Sequence, residues 1–334
     1  MRIAIVGAGA IGGYLGARLA AAGTEVTFIA RGANLEAIRG QGMKLILEDG
    51  AEVHASAARA CGTASEAGVQ DVVLLTVKAH QVGAVAPELR HLLHESTAIV
   101  TMQNGIPWWY FHRHGGEYEG KAVQAADPDG TIARHIDSAR LVGCVVYPAA
   151  NLIAPGVVQV VEGNRFTLGE LDGSTTPRLQ AIAASLIAAG FKAPITSEIR
   201  SEIWLKLWGN LTFNPVSALT HATLAEICRF ALTRELAKQM MMEAETIANK
   251  LGIQFRVGIE RRIAGAEKVG AHKTSMLQDV EQGRPLEIEA LVGAVVELGV
   301  LTGTPTPNIS AVFACASLLA KTLNTRHGKL AVAN

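Results

Sequence analysis

Residues 2–23, RIAIVGAGAIGGYLGARLAAAG, decide the architecture of the chain. A short β-branched apolar run, Arg2–Val6, gives way to a glycine turn and then to a helical pattern over about Ala10–Ala22. Between them Gly7-Ala8-Gly9-Ala10-Ile11-Gly12 spells GxGxxG. At a strand-to-helix junction that spacing points to a dinucleotide site. Gly7 makes the tight turn, Gly9 lets a pyrophosphate approach the backbone, and Gly12 permits close helix–strand packing. The helix start at Ala10 and Ile11 offers N–H groups and a positive dipole end to phosphate. Two blander readings compete: a purely structural glycine turn, and a secretory leader suggested by Arg2 and LAAAG. The strand-turn-helix frame around the glycines favours the nucleotide site over both.

Working outward, TEVTFIA, DVVLLTV and STAIVTM read as further strands, with ARGANLEAIRG and KAHQVGAVAPELRHLL as helices between them. Strands alternating with helices predict an α/β Rossmann-type domain, its parallel sheet covered on both faces. VGCVVYPA, GVVQVVEG and RFTLGE read as antiparallel additions to that sheet, TTPRLQAIAASLIAAGF as a helix and APIT as a last short strand. From Ser197 the strand signals stop. Helices follow, over Thr223–Leu251, Ile259–Ala271, Glu287–Leu301 and Pro307–Leu323. The expected organisation is a Rossmann-like NADP-binding domain over 1–196, with an insertion near 107–140, then an all-α C-terminal domain over 197–334 that binds substrate.

Composition narrows the function. With 334 residues, 49% of them hydrophobic, the chain can fill two cores. Zero formal net charge gives no reason for a nucleic-acid or acidic-membrane partner. The four cysteines are scattered without a CxxC pair, so neither a metal site nor a disulfide framework is expected, and a reducing cytoplasm fits best. The apolar run Ile309–Ala320 falls short of the roughly 20 residues a membrane span needs.

The strand ends add polar groups on the edge where open parallel sheets bind ligands. The second strand ends in Ala30-Arg31, with no acid for ribose hydroxyls. Arg31 suits a 2′-phosphate, which favours NADP(H), although a solvated surface arginine is the alternative. Glu36, one turn into the next helix, is a substitute ribose ligand. Lys78 follows DVVLLTV and Asn104 follows STAIVTM. Separately these are a first-turn lysine and an Asn-Gly turn; together they favour a site.

The helix opening the second domain, SEIWLKLWGNLTFNP over Ser201–Pro215, is apolar almost all round. Yet Glu202, Lys206, Asn210 and Asn214 recur every fourth residue and form a narrow polar stripe. A solvated face would be broader, so the stripe suits the wall of a cleft. A lysine among leucines and tryptophans is partly desolvated, which lowers its pKa and equips it to donate a proton near neutrality. The competing reading is a snorkelling lysine beside satisfied core amides. Farther on, HKTSMLQDVEQGRPLEIEAL offers Ser275, Asp279 and Glu287. Ser275 and Asp279 also read as caps, and Glu287, two positions after Pro285 in a first helical turn, as a dipole partner.

These motifs together resemble ketopantoate reductase: GAGAIG, TVKAHQ, QNG, the E-x-x-x-K-x-x-x-N-x-x-x-N-P stripe, and HKTSMLQD followed by GRPLEIE, in the family's order over most of the chain. The resemblance implies reduction of a 2-oxo acid, ketopantoate, by NADPH to give pantoate for pantothenate synthesis. By it Lys206 is the general acid and Glu287 the acidic residue at the substrate. Asn210, Asn214 and Ser275 hold the substrate, Asn104 lies between cofactor and substrate, and Lys78 and Arg31 touch the cofactor. The stripe then faces an interdomain cleft. The departure is Pro107–Arg140, long and aromatic, where Trp108, Trp109, Tyr110 and Phe111 either reshape the pocket or form a surface excursion or dimer contact. LEIEALVGAVVELGVL suits either core or a homodimer seam. Three alternatives stay open: a paralogue acting on another branched 2-oxo acid, an opine-type dehydrogenase that adds an amine, and a non-catalytic NADP(H) sensor.

Overall fold

The computed structural model describes residues 1–56, 58–326 and 328. They form two units: Met1–Gln103, Trp108–Ala122 and Asp129–Ile199 make the first, and the second gathers Asn104–Pro107, Val123–Pro128 and the chain from Arg200. Every strand among the described residues lies in the first unit.

Its main sheet has seven strands in the order β11-β8-β7-β6-β1-β2-β5. The strands are β1 Arg2–Val6, β2 Glu25–Ile29, β5 Arg59–Cys61, β6 Val72–Leu75, β7 Ala98–Thr101, β8 Leu141–Val146 and β11 Phe166–Glu170. All pairings are parallel except β11 with β8. The central strands are short apolar runs because both faces are covered: all four side chains of β6 and of β7 are buried. The chain goes from β1 to β2 on one side and returns to β6 on the other. That reversal puts the switch point, the usual ligand crevice of such sheets, at the carboxyl ends of β1 and β6.

Three expectations need correction. Of the late strands only β11 is antiparallel to the main sheet; β8 continues it in parallel. The hairpin β9 Ala149–Ala154 and β10 Val157–Glu162 leaves altogether, joining β3 Met43–Ile46 and β4 Glu52–Ala55 in a second sheet ordered β4-β3-β10-β9. That sheet closes over the first helix, Ala10–Ala21, where a Cβ at Gly13 would lie 2.6 Å from Val158. The stretch after Lys78 is not one helix but short turns, Ala79–Gln81, Val82–Val85 and Ala86–Leu92, since Pro87 lacks the N–H a continuous helix needs. APIT makes only an isolated bridge, Leu168 to Ile195.

The aromatic start of the excursion, Trp108–Phe111, is buried, whereas most of residues 113–122 behind it are exposed. Trp109, Tyr110 and Phe111 are at most 1% exposed. Trp109 donates its indole N–H to Thr101 Oγ1 at 3.0 Å and lies against Gly143, where a Cβ would come within 3.0 Å of the ring. The run plugs the first unit's core, and residues 123–128 pass to the second unit.

At the amino end of the sheet Asp71 accepts the Arg2 backbone N–H at 2.7 Å, the Arg2 guanidinium at 3.2 Å and His94 at 3.2 Å. The backbone donor leads in holding its carboxyl at about 2, with the Arg2 and His94 side chains adding to it. A carboxylate depressed in the folded state stabilises fully above the unfolded value near 4 and loses that contribution as pH falls toward 2. The side chain is 37% exposed, so solvent screening reduces the effect to about 1 kcal/mol. Asp71→Asn is therefore expected to be less stable than wild type at pH 6, with the gap closing between about pH 4 and 2. Urea titrations across that range check it, and a gap independent of pH would refute it.

The second unit is helical. Ile199–Thr220 runs unbroken through Pro215, with Trp204, Trp208 and Leu211 fully buried. The single helix expected over Thr223–Leu251 is two, Leu224–Arg229 and Ala231–Lys250, because Phe230 is extended at φ −75°, ψ 117°. Ile259–Lys268, Ser275–Glu281, Ala294–Leu301 and Pro307–Thr325 follow. Ala294–Leu301 is entered through a π-helical turn, Glu289–Gly293. This run is core through Leu298, while Val300 is 80% exposed. Among the described residues no helix is long and apolar enough to cross a membrane, and no cluster of His, Cys, Asp and Glu is able to hold a metal ion.

Candidate active site

In the first unit the glycine turn ends β1. Gly7 has φ +104°, a left-handed conformation suited to glycine, and a Cβ there would meet Val77 at 2.7 Å. At Gly12 a Cβ would lie 2.1 Å from the Gly7 carbonyl oxygen and 2.9 Å from the Ile5 side chain of β1, so glycine here leaves room both for the turn and for the helix against the strand. Gly16 extends that close packing to β2, where a Cβ would lie 2.3 Å from the Phe28 ring. Gly9 caps the helix without a side chain, and a Cβ placed on it finds no atom within 4 Å. Ala10 and Ile11 open the helix, and no acid occupies its first turn. An open glycine face over uncapped helical N–H groups fits a pyrophosphate.

The same sheet edge carries the other nucleotide candidates. Arg31 is exposed just past β2, at the head of the helix Gly32–Gln41. Glu36 faces Arg39 at 3.7 Å on the solvent side of that helix. Lys78 is half-buried three residues past β6, its backbone N–H bound to Gln81. Gln103, the first residue of QNG and given no role there, donates to the Leu75 and Val77 carbonyls at 2.7 and 3.0 Å and so ties together the ends of β6 and β7.

In the second unit the stripe meets residues distant in sequence. Lys206 Nζ donates to Asn104 Oδ1 at 2.5 Å. Asn104 is held there by its two neighbours on the C-terminal side. Gly105 takes φ +92°, and Ile106 N–H donates at 2.9 Å to the Ala290 carbonyl in the π-turn. A Cβ on Gly105 would lie 2.2 Å from that same oxygen, so this junction requires glycine both for its conformation and for room. π-turns widen a helix and free carbonyls for partners of this kind.

One turn on, Asn210 is half-buried, and another turn on Asn214 is buried with its amide 3.5 Å from Ser275 Oγ. Ser275 is not a cap; Thr274 is, accepting from Leu277 N–H, which leaves Ser275 exposed in the first turn. Pro285 lies outside the helix, and Glu287 is half-buried immediately before the helical run rather than inside its first turn. The loop between is pinned by Asp279, which takes the Arg284 Nε–H at 2.7 Å, while Arg284 N–H returns to the Asp279 carbonyl at 2.8 Å. An ammonium fixed by an amide oxygen, with further amides one and two turns along the same helix and a hydroxyl against the second, is suited to binding a small polar acid and moving a proton at its carbonyl.

A family model described as ketopantoate reductase PanE/ApbA matches residues 3–173, and its C-terminal counterpart matches residues 198–320. A 2-dehydropantoate 2-reductase from Mesorhizobium japonicum is 53% identical over 96% of this chain and 98% of its own length. A crystal structure from Ralstonia solanacearum MolK2 superposes with a TM-score of 0.92 at 43% identity, covering 97% of this chain and 98% of that one. A 2-dehydropantoate 2-reductase structure from Geobacter metallireducens GS-15 gives a TM-score of 0.82 at 28% identity, over 95% and 99% of the two chains.

Proposed function

The chain belongs to the ketopantoate reductase PanE/ApbA family, and on that premise we propose that it reduces the keto group of 2-dehydropantoate to pantoate with NADPH. The observation that carries this reading is the Lys206–Asn104 pair, in a chain whose other unit presents an open glycine turn for a dinucleotide. Bound NADPH would supply the hydride for the keto carbon. Lys206 protonates the keto oxygen as negative charge develops on it, so hydride and proton together complete the alcohol. Its ammonium is then reloaded from solvent. Asn104 fixes where Nζ sits. Asn210, Asn214 and Ser275 orient the substrate's polar groups without adding charge, and Glu287 accepts a substrate hydroxyl. At the cofactor, Gly7, Gly9, Ala10, Ile11 and Gly12 supply the phosphate turn, Lys78 adds positive charge at the sheet edge, and Arg31 pairs with the 2′-phosphate.

Ketopantoate is favoured over other branched 2-oxo acids because the aromatic run that suggested a reshaped pocket is spent on the first unit's core. Initial rates with NADPH and NADH, on ketopantoate and on several other 2-oxo acids, test the whole reading. Fast, NADPH-selective reduction of ketopantoate is expected. Arg31→Ala is expected to raise the KM for NADPH about ten- to a hundredfold while leaving that for NADH nearly unchanged. Equal use of both cofactors by the wild-type protein would remove Arg31 from its role, and turnover only with an added amine would replace the reaction.

A further inference from the structure

Four consecutive carbonyls of the glycine turn are already taken by donors inside the first unit. Val6 O accepts Thr76 N–H at 3.0 Å, Gly7 O the Thr76 hydroxyl at 2.7 Å, Ala8 O the Asn34 amide at 2.6 Å, and Gly9 O the Gly13 N–H at 2.7 Å. In a trans peptide the C=O of one residue and the N–H of the next point in opposite directions. Anchoring the Gly7, Ala8 and Gly9 oxygens in the protein therefore turns the Ala8, Gly9 and Ala10 N–H groups the other way. The space beside the Gly9 Cα is open as well, with no atom within 4 Å of an added Cβ. A turn free to flip one of these peptides would present a carbonyl oxygen to a phosphate and repel it.

Two of the four anchors are side chains, so they are choices of the sequence rather than by-products of strand and helix. The orientation of Asn34 is itself determined. Its Oδ1 accepts Gly156 N–H at 2.7 Å, which leaves Nδ2 as the atom that donates to Ala8 O. Gly156 is in turn fixed at φ +73° between β9 and β10, its carbonyl accepting Lys44 N–H of β3 at 2.8 Å. The small second sheet thus holds Asn34, and Asn34 holds the turn.

We infer that Asn34 and Thr76 are positioning residues that aim the N–H groups of the glycine turn at the cofactor's pyrophosphate. The inference rests on the dinucleotide-dependent reading above and adds two residues that it does not use.

The test is titration calorimetry of the full chain with NADPH, with NADH, and with 2′-AMP, which has the 2′-phosphate but no pyrophosphate. Thr76→Val keeps the side-chain shape and loses the hydroxyl; Thr76→Ser keeps the hydroxyl. Thr76→Val and Asn34→Ala are each expected to weaken NADPH about tenfold while 2′-AMP changes less than about twofold. The KM for NADPH should rise with kcat nearly constant, and Thr76→Ser should bind close to wild type. If Asn34→Ala does not fold, the Thr76 pair alone decides. Unchanged NADPH affinity in folded Thr76→Val overturns the inference. So does equal weakening of NADPH and 2′-AMP, the mark of general loosening. A wild-type protein that binds neither dinucleotide would overturn the functional reading itself, and this inference with it.

Discussion

Lys206→Ala is expected to lower kcat about a thousandfold while leaving NADPH affinity within about twofold of wild type. The two effects separate because Lys206 and its partner Asn104 belong to the helical unit, whereas the glycine turn, Arg31 and Lys78 belong to the first. The loss comes from removing the proton donor at the oxygen where charge develops, which leaves water to do that work. Lys206→Arg should not restore the rate, since a guanidinium keeps its proton near neutrality and presents a planar fork instead of a compact ammonium. Stopped-flow hydride transfer beside equilibrium binding gives both numbers. Turnover close to wild type in the alanine variant would sink the assignment of Lys206.

Gly105→Ala touches neither ligand in the proposed reading, yet a large effect is expected. Alanine at φ +92° is strained, and its Cβ would press into the Ala290 oxygen, expelling the Ile106 N–H from its hydrogen bond. Strain and lost bond together amount to about 2–3 kcal/mol of stability. The segment has to move, and Asn104 moves with it. A displacement of about 1 Å at a catalytic geometry costs roughly a hundredfold in rate. Denaturation midpoint and kcat are both expected to fall, with NADPH binding retained. A stable, fully active Gly105→Ala protein would show that the π-turn contact does not place Asn104.

How much of this was legible in the sequence depends on how local each cause is. β1, β6 and β7 announced themselves as short apolar runs between helical stretches, because burial on both faces leaves little room for polar residues, and β2 as an alternating run. β3, β4 and β5 did not: MKLI, EVHA and RAC are three or four residues long with charges interspersed, too short to show a period. The hairpin at β9 and β10 was visible as strands, but which sheet it would join depends on β3, far away along the chain. The polar stripe was readable because helical spacing is local. Its pairing with Asn104 spans 102 positions and was not. Gly105 looked like half of an ordinary Asn-Gly turn, and only the carbonyl of Ala290 explains why nothing larger fits. Asn34 left no signal and Thr76 only its place at the head of TVKAHQ, since their work is done on other residues' backbones.

The assignment of Asn104–Pro107 and Val123–Pro128 to the helical unit has a consequence for anyone cutting or recombining the gene. A fragment starting at Arg200 looks like a self-sufficient module, but it would lack the amide that meets Lys206 and the Ile106 N–H that occupies the Ala290 carbonyl. It would also lack the Gln124 and Ala125 N–H groups, both held by Glu297 at 2.8 Å. A chimera of two relatives spliced near residue 199 would carry one parent's lysine beside the other parent's asparagine. Parents that differ over these borrowed segments need a graft in three pieces.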